Sequence, residues 1–473
     1  MVALVLEESE RLHYHRVPGG LIRILMPFAA LVCSGPVHAR GSAAGFGMPQ
    51  YGGAFAGVGE TGVHGIPFNP AAAATSGFEV SAEWTQFIAS YSSQLTGESA
   101  EGGAASQGAP FAAMTLSIPG VDGVGVGLSF GAPYARAAGA VSSSSSQRFH
   151  GISGQLAVLE MGASVGVEPI AGLHLGGGVA VQTLEAESRY ALDSGAVLVE
   201  LFGDDLADLI GDPLLEGVVD ITNVQGRTVG AVFGAQWTAF EPWTVAASYR
   251  TGSRIPVTGD VDLVPSNAFT LTLESELEGE IVMPAELQVL LARRWGPMRW
   301  AVEGHWIGWE DASVMAFEMV DPQLGSRDPA LEAILEGYGL SDVSEIIQTQ
   351  TDRSLGYQHT AGGGLRLDID GEDTFWMART VYSSRAIPDE WVHPANIDFE
   401  SIDTRIGAGL RTAAGLDIGV SAGWLFTPQR TITTSAASYL ADPDEGPVYP
   451  SGNGTYSLRL FSAGLNLVYR HRP

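Results

Sequence analysis

A few short stretches hold residue types that could do chemistry. Gly57-Val58-Gly59-Glu60-Thr61-Gly62 has the glycine spacing of a dinucleotide-binding turn. Such a turn brings the backbone up to a pyrophosphate at a helix start, so a strand must precede it and a helix must follow. Here no strand pattern comes before it, and Pro67 and Pro70 stand where the helix would run. Gly419-Val420-Ser421-Ala422-Gly423 has the form of a nucleophile elbow, which needs a sharp strand-to-helix turn. Alternation instead continues through Trp424 and Phe426, and the one later histidine is His471 in the tail. Asp368, Asp370 and Asp373 resemble a calcium loop without its closing glutamate, so a solvated turn is the better reading. The 10 histidines show no metal-ligand spacing. No catalytic residue, cofactor or metal is expected.

The segments that would have to position such groups point elsewhere. Of 473 residues, 45% are hydrophobic and only 16% charged. Lysine is absent, and the net charge of -29 argues against nucleic acid as a partner, because phosphates need a cationic surface. Arg11, Arg16 and Arg23 precede the apolar stretch Ile24 to Cys33, and Val37-His38-Ala39 resembles a cleavage site, so residues 1–39 read as an export signal. Cleavage there would remove Cys33, the only cysteine, and with it any thiol chemistry. Beyond that point no apolar run is long enough for a spanning helix.

From Gly77 onward one pattern repeats: alternating strand, short turn, alternating strand, long loop. Short turns fall at 119–123, 168–172, 241–242, 296–297, 370–373 and 413–415, with longer segments between them. That segregation predicts an all-β, antiparallel transmembrane barrel of about fourteen strands over 77–473. In the last strand Phe461, Ala463, Leu465, Leu467 and Tyr469 share one face, opposite Ser462, Gly464, Asn466 and Arg470, with Val468 out of phase. Ile402, Thr404, Ile406, Ala408 and Leu410 likewise oppose Asp403, Arg405, Gly407, Gly409 and Arg411. Trp237, Trp243, Trp295, Trp300 and Trp376 lie beside short turns, and Trp306, Trp309 and Trp424 at the opposite strand ends, as two interfacial belts would place them. The lumen faces, such as Gly162, Ser164 and Gly166 or Gly230, Val232 and Gly234, read as small and apolar rather than as rings of charge.

Two long loops carry helical spacing. One has Leu198, Leu201, Phe202, Leu206, Leu209 and Ile210, and the other has Leu331, Ile334, Leu335 and Tyr338 after Asp328-Pro329. Leu201, Phe202, Leu206 and Leu209 are expected to line one side of a surface hydrophobic groove, with Phe269 on a second side. The competing reading makes these leucines the core of a lid.

Gly52-Gly53-Ala54-Phe55-Ala56-Gly57 and Phe68-Asn69-Pro70-Ala71 resemble the start of the FadL-type transporters of long-chain fatty acids and aromatic hydrocarbons. Ser248-Tyr249-Arg250, Met283-Pro284-Ala285, His305-Trp306-Ile307-Gly308-Trp309 and Ala386-Ile387-Pro388-Asp389-Glu390 follow in that family's order. The resemblance implies a fourteen-stranded barrel plugged by an N-terminal hatch, assigned here to residues 40–76. The hatch motif would be Asn69, Pro70 and Ala71, with Asn69 tying the plug to the wall and Pro70 setting its direction. It also implies a kink in the third strand as a lateral exit, for which Gly127, Gly131 and Pro133 are the residues at hand. The alternative is that Pro133 merely ends that strand. The function implied is passive passage of fatty acids or hydrocarbons through a bacterial outer membrane. The partners would be that hydrophobic substrate, membrane lipid and lipopolysaccharide, and the barrel-assembly machinery. A water-filled porin for polar solutes, or an adhesin or outer-membrane enzyme, are the competing readings. Tyr469 is followed by Arg470-His471-Arg472-Pro473, a departure from the aromatic end usual in that family.

Overall fold

In the computed structural model the described residues are 55–471, apart from 76–77, 96–97, 102–104, 139–147, 149–150, 194–215, 239–240, 266–270, 313–315, 327–356, 393–396, 436–440, 443–445 and 448–451. The export signal, the start of the assigned hatch, both helix-patterned loops and Phe269 lie outside the described residues.

The strands form one closed antiparallel barrel of fourteen. The first six are β1 (Phe78–Leu95), β2 (Glu98–Glu101 and Ala105–Ser117), β3 (Val124–Ala138), β4 (Ser153–Ile170), β5 (Leu173–Asp193) and β6 (Glu216–Trp237). Three interrupted strands follow: β7 (Trp243–Arg250 and Ser253–Pro265), β8 (Leu271–Met283 and Glu286–Trp295) and β9 (Met298–Ile307 and Ala316–Ser326). The circle is completed by β10 (Thr360–Asp370), β11 (Thr374–Ser383), β12 (Ser401–Arg411), β13 (Leu416–Phe426 and Arg430–Ile432) and β14 (Gly454–His471). Closure is made by β1 against β14, paired without interruption from Phe78↔His471 to Leu95↔Gly454. Closing the sheet on itself leaves no edge, the condition a strand-built membrane span must meet.

The breaks in β7, β8 and β9 are adjacent in the wall. Met283-Pro284-Ala285 joins the two parts of β8, where Pro284 cannot donate to a ladder. In β9 the chain leaves the wall between Ile307 and Ala316 and makes the short 3-10 helix Trp309–Ala312.

Alternation sorts the side chains as period two requires. Val165, Val179, Val229, Phe233, Val289, Val302, Leu365, Ile406, Val420 and Leu465 point outward and are exposed. They make an apolar belt of the kind lipid solvates. Trp237, Trp243, Trp295, Trp300 and Trp376 are outward at the tight-turn end. Trp309 breaks the expected belt at the other end: it is 3% exposed and faces inward, because the chain has left the ladder there and the strand's phase no longer applies. Val468, out of phase in the sequence, packs inward against Val63, Ile66, Ala72 and Ala73. On this geometry Val229→Arg, mid-strand on the outer face, should lower unfolding stability by about 2–4 kcal/mol in lipid vesicles, measured by denaturant titration. An unchanged midpoint would contradict the lipid-facing assignment.

Candidate functional site

The segment Phe55–Thr75 runs through the lumen near the tight-turn end. It contains the 3-10 helices Gly62–His64 and Pro70–Thr75. Gly62 has φ +60, a left-handed conformation that suits glycine, and the Glu79 carboxylate sits where a side chain would be. Wall glycines on four neighbouring strands receive the second helix. A Cβ on Gly125 (β3), Gly166 (β4), Gly176 (β5) or Gly234 (β6) would overlap Ala73, Ala74, Ala71 or Asn69 respectively. Two of the small inward residues read as an apolar lumen face, Gly166 and Gly234, are therefore a seat for the inner segment. At the far side Phe55 rests over Gly407 and Gly419 and meets Phe375 edge-on at 5.3 Å.

Polar side chains of the wall satisfy this segment's peptide groups. Asn69 Nδ2 donates to Val58 O at 2.9 Å and to Ala235 O at 3.1 Å, while its Oδ1 accepts from Ala71 N at 3.1 Å. Ser248 Oγ donates to Phe68 O, and Arg250 Nη2 to Pro67 O at 3.1 Å. Arg299 Nη2 donates to Gly59 O at 2.8 Å, and Arg366 reaches Ala56 O and Phe55 O, both at 3.3 Å. Both guanidiniums also hold Glu60, at 2.6 Å from Arg299 and 3.2 Å from Arg366, with Asp368 as their second carboxylate. Burial alone would raise the Glu60 carboxyl, but Arg299 and Arg366 outweigh it and bring it down to about 2. Burial, with Arg470 and Arg366 nearby, takes the His64 imidazole down to about 4 despite Glu60.

Above this floor lies a collar of matched charges. Arg250 pairs with Glu160 at 2.5 Å, Gln182 Nε2 donates to Glu160 at 3.0 Å, and Ser253 Oγ donates to Gln182 at 2.6 Å. Arg366, Arg379 and Arg405 are register partners across β10, β11 and β12. Arg379 takes Glu303 in a two-pronged pair, and Arg405 takes Asp403 at 2.7 Å. Tyr134 donates its hydroxyl to Glu286.

The lumen on the long-loop side of the collar is apolar. Leu184, Ile255, Leu277, Ile387, Ile397 and Ile432 are fully buried there. Trp309 stands edge-on to Tyr134 at 6.4 Å and to Tyr357 at 5.8 Å. Arg430 braces the rim through Asp389 at 2.8 Å and Asp398 at 3.2 Å.

The wall is interrupted beside this apolar cluster. β3 pairs with β2 only from Gly125↔Ser117 to Gly131↔Phe111. On its other side β3 pairs regularly with β4 as far as Gly131↔Glu160, and pairing resumes at Tyr134↔Val158 with one residue extra on β3. Among the described residues, β3 past Gly131 pairs with β4 alone, and β2 before Phe111 with β1 alone. Phe111 belongs to the floor cluster and Tyr134 to the apolar cluster, so the unpaired stretch opens between them.

No protein-family model and no curated protein matches the chain. Solved structures do. A FadL homologue of Pseudomonas aeruginosa superposes with TM-score 0.71 at 13% identity, covering 92% of this chain and 99% of that one. The P. putida toluene transporter TodX gives 0.62 at 14% identity, over 91% and 99%. A TodX deltaS2S3 mutant, described as a monoaromatic hydrocarbon channel, gives 0.64 at 14% identity, over 92% and 100%.

The chain has the FadL-type fold.

Within the FadL-type barrel, the residues singled out from sequence fall in three groups. Asn69, Pro70 and Ala71 lie on the inner segment against Gly176 and Gly234. Gly127 does not kink β3: it pairs regularly with Thr115 and Ser164, and it is small because Ile66 sits over it. The irregularity begins one residue past Gly131, at 132–133, and includes Pro133. Leu201, Phe202, Leu206, Leu209 and Phe269 lie outside the described residues. The sequence reading missed the clamp of Glu60, Arg299, Arg366 and Asp368, and the collar of Glu160, Gln182 and Arg250. Their signal was present as charged or amide side chains on the strand phase opposite the apolar face.

Replacing Gly176 with valine should unseat the inner segment, since the added side chain meets backbone; such overpacking costs about 1–3 kcal/mol. Bilayer ion conductance should rise above that of the native protein, and unchanged conductance in a folded variant would contradict the seat. Acidification should act in the same direction. Both pKa values are depressed in the seated state, so the released segment binds more protons and is favoured as pH falls. The seat is at full strength above 6.5, weakens from 6.5 to about 4 through His64, and from 4.5 to about 2 through Glu60. Conductance recorded stepwise from neutral to acid pH should rise in those windows, and His64→Gln should abolish the first.

Proposed function

We propose that this chain is a passive outer-membrane conduit for hydrophobic small molecules, such as long-chain fatty acids or hydrocarbons. In this reading residues 1–39 direct export, the tight turns face the periplasm, and the long loops face outward. The observation that carries it is a buried apolar lining of the lumen set above a closed polar floor and beside an unpaired stretch of wall. A hydrophobic molecule gains by leaving water for such a lining, roughly 25 cal/mol per Å² of apolar surface buried. Going on through the floor would strand it among paired charges, whereas the stretch between β2 and β3 offers a way sideways. The inner segment then acts as a hatch that keeps ions from following. The TodX structures, named as a toluene transporter and a monoaromatic hydrocarbon channel, support the same substrate chemistry. A water-filled porin would need a continuous polar path, and the inner segment crosses the lumen where that path would run.

Deleting Pro133 removes the one extra residue of β3 and lets Gly131 and Tyr134 pair regularly along β4. The expected result is a folded barrel whose transfer of hydrophobic substrate into vesicles falls to the protein-free rate. Undiminished transfer would show that the side route is not used.

A further inference from the structure

We infer that the substrate is uncharged, and that the paired charges of the lumen exclude ionised carboxylates. This rests on the reading of the chain as a hydrophobic conduit and narrows it.

A carboxylate entering a low-dielectric lumen gives up its hydration, and only a cation free to take it can offset that loss. The chain has no lysine, so every candidate is an arginine. Seven of the arginines that face the lumen already hold a carboxylate of the protein. Arg250 holds Glu160 and Arg379 holds Glu303, both at 2.5 Å. Arg405 holds Asp403, and Arg299 and Arg366 share Glu60 and Asp368. Arg430 is taken by Asp389 and Asp398 at the rim, and Arg470 by Glu79 and Asp417 at the floor.

Glu286 accepts from the Tyr134 hydroxyl, and Glu83 from Asn466 and Thr85, rather than from a guanidinium. Glu286 lies beside the apolar cluster itself, since Tyr134 belongs to that cluster. A fatty-acid head group reaching this level would meet cations already engaged by carboxylates of the protein. A neutral hydrocarbon has no charge to be compensated and is suited to the apolar lining to which Trp309, Tyr134 and Tyr357 belong.

The test compares matched pairs, decane with decanoate and toluene with benzoate. Transfer is measured into vesicles bearing lipopolysaccharide in the outer leaflet, with the full native barrel, at about pH 8, where the acids are ionised. The native protein should speed the neutral member of each pair and leave the ionised one at the protein-free rate. Glu160→Gln removes the carboxylate that holds Arg250 Nη1, so the ratio of decanoate to decane transfer should rise by about tenfold or more. Glu303→Gln, which frees Arg379, tests the same point if the first variant does not fold. Native transfer of decanoate as fast as decane would overturn this inference and leave the conduit standing. An unchanged ratio in both folded variants would overturn it as well. If neither member of either pair exceeds the protein-free rate, the conduit reading itself fails.

Discussion

A peptide segment that runs through a barrel without joining its ladder brings in donors and acceptors that the wall's own hydrogen bonds do not serve. Each needs a partner, because an unpaired buried peptide group is costly. Between Phe55 and Ala71 the segment's own turns serve several N–H groups, and side chains serve many of the rest: Arg366, Arg299, Arg250, Ser248 and Asn69 donate to carbonyls, and Glu79 accepts from Val63 N at 3.2 Å. Once arginines are placed inside for this purpose, they need counter-charges. Glu60, Asp368 and Glu160 supply them. Part of the charged interior of this barrel thus follows from the presence of a non-strand segment within it.

The same segment decides where the wall is thin. Glycines line β3 to β6 where backbone meets backbone, and larger side chains return above. Strand length varies with position in the circle. β5 and β6 have 21 and 22 residues, whereas β10 to β12 have 11, 10 and 11, so one side of the barrel rises well above the other. The tall side supplies Leu184, Val219 and Ile255 to the apolar cluster, and the low side supplies the arginine row.

Much of the wall was legible in the sequence, because a strand's two faces see different solvents and write that difference at period two. The tight turns, the strand count and the outward face of β12 and β14 all follow from this. Period two names a face without saying what lies against it. Val468 looked like an error of phase until Val63 and Ile66 were found opposite, and Gly127 looked like a kink until Ile66 was found above it. Trp309 was misplaced because the chain departs from the strand just before it. The clamp was invisible for another reason: Arg299 and Glu60 are 239 residues apart, and Arg366 and Ala56 310 apart, so no local spacing reports them.

The uninterrupted seam between β1 and β14 has a temporal side. The first strand cannot find its second neighbour until the last strand has been made, so the sheet stays open along that line throughout synthesis. The inner segment lies just upstream of β1, yet Asn69 bonds to Ala235, 166 residues later in the chain. Its seat on β4, β5 and β6 does not exist when the segment emerges. Long-range contacts of this kind form late, after much of the loop entropy has been spent. The segment must therefore wait unseated while the early hairpins assemble, and be enclosed as the circle is drawn shut around it.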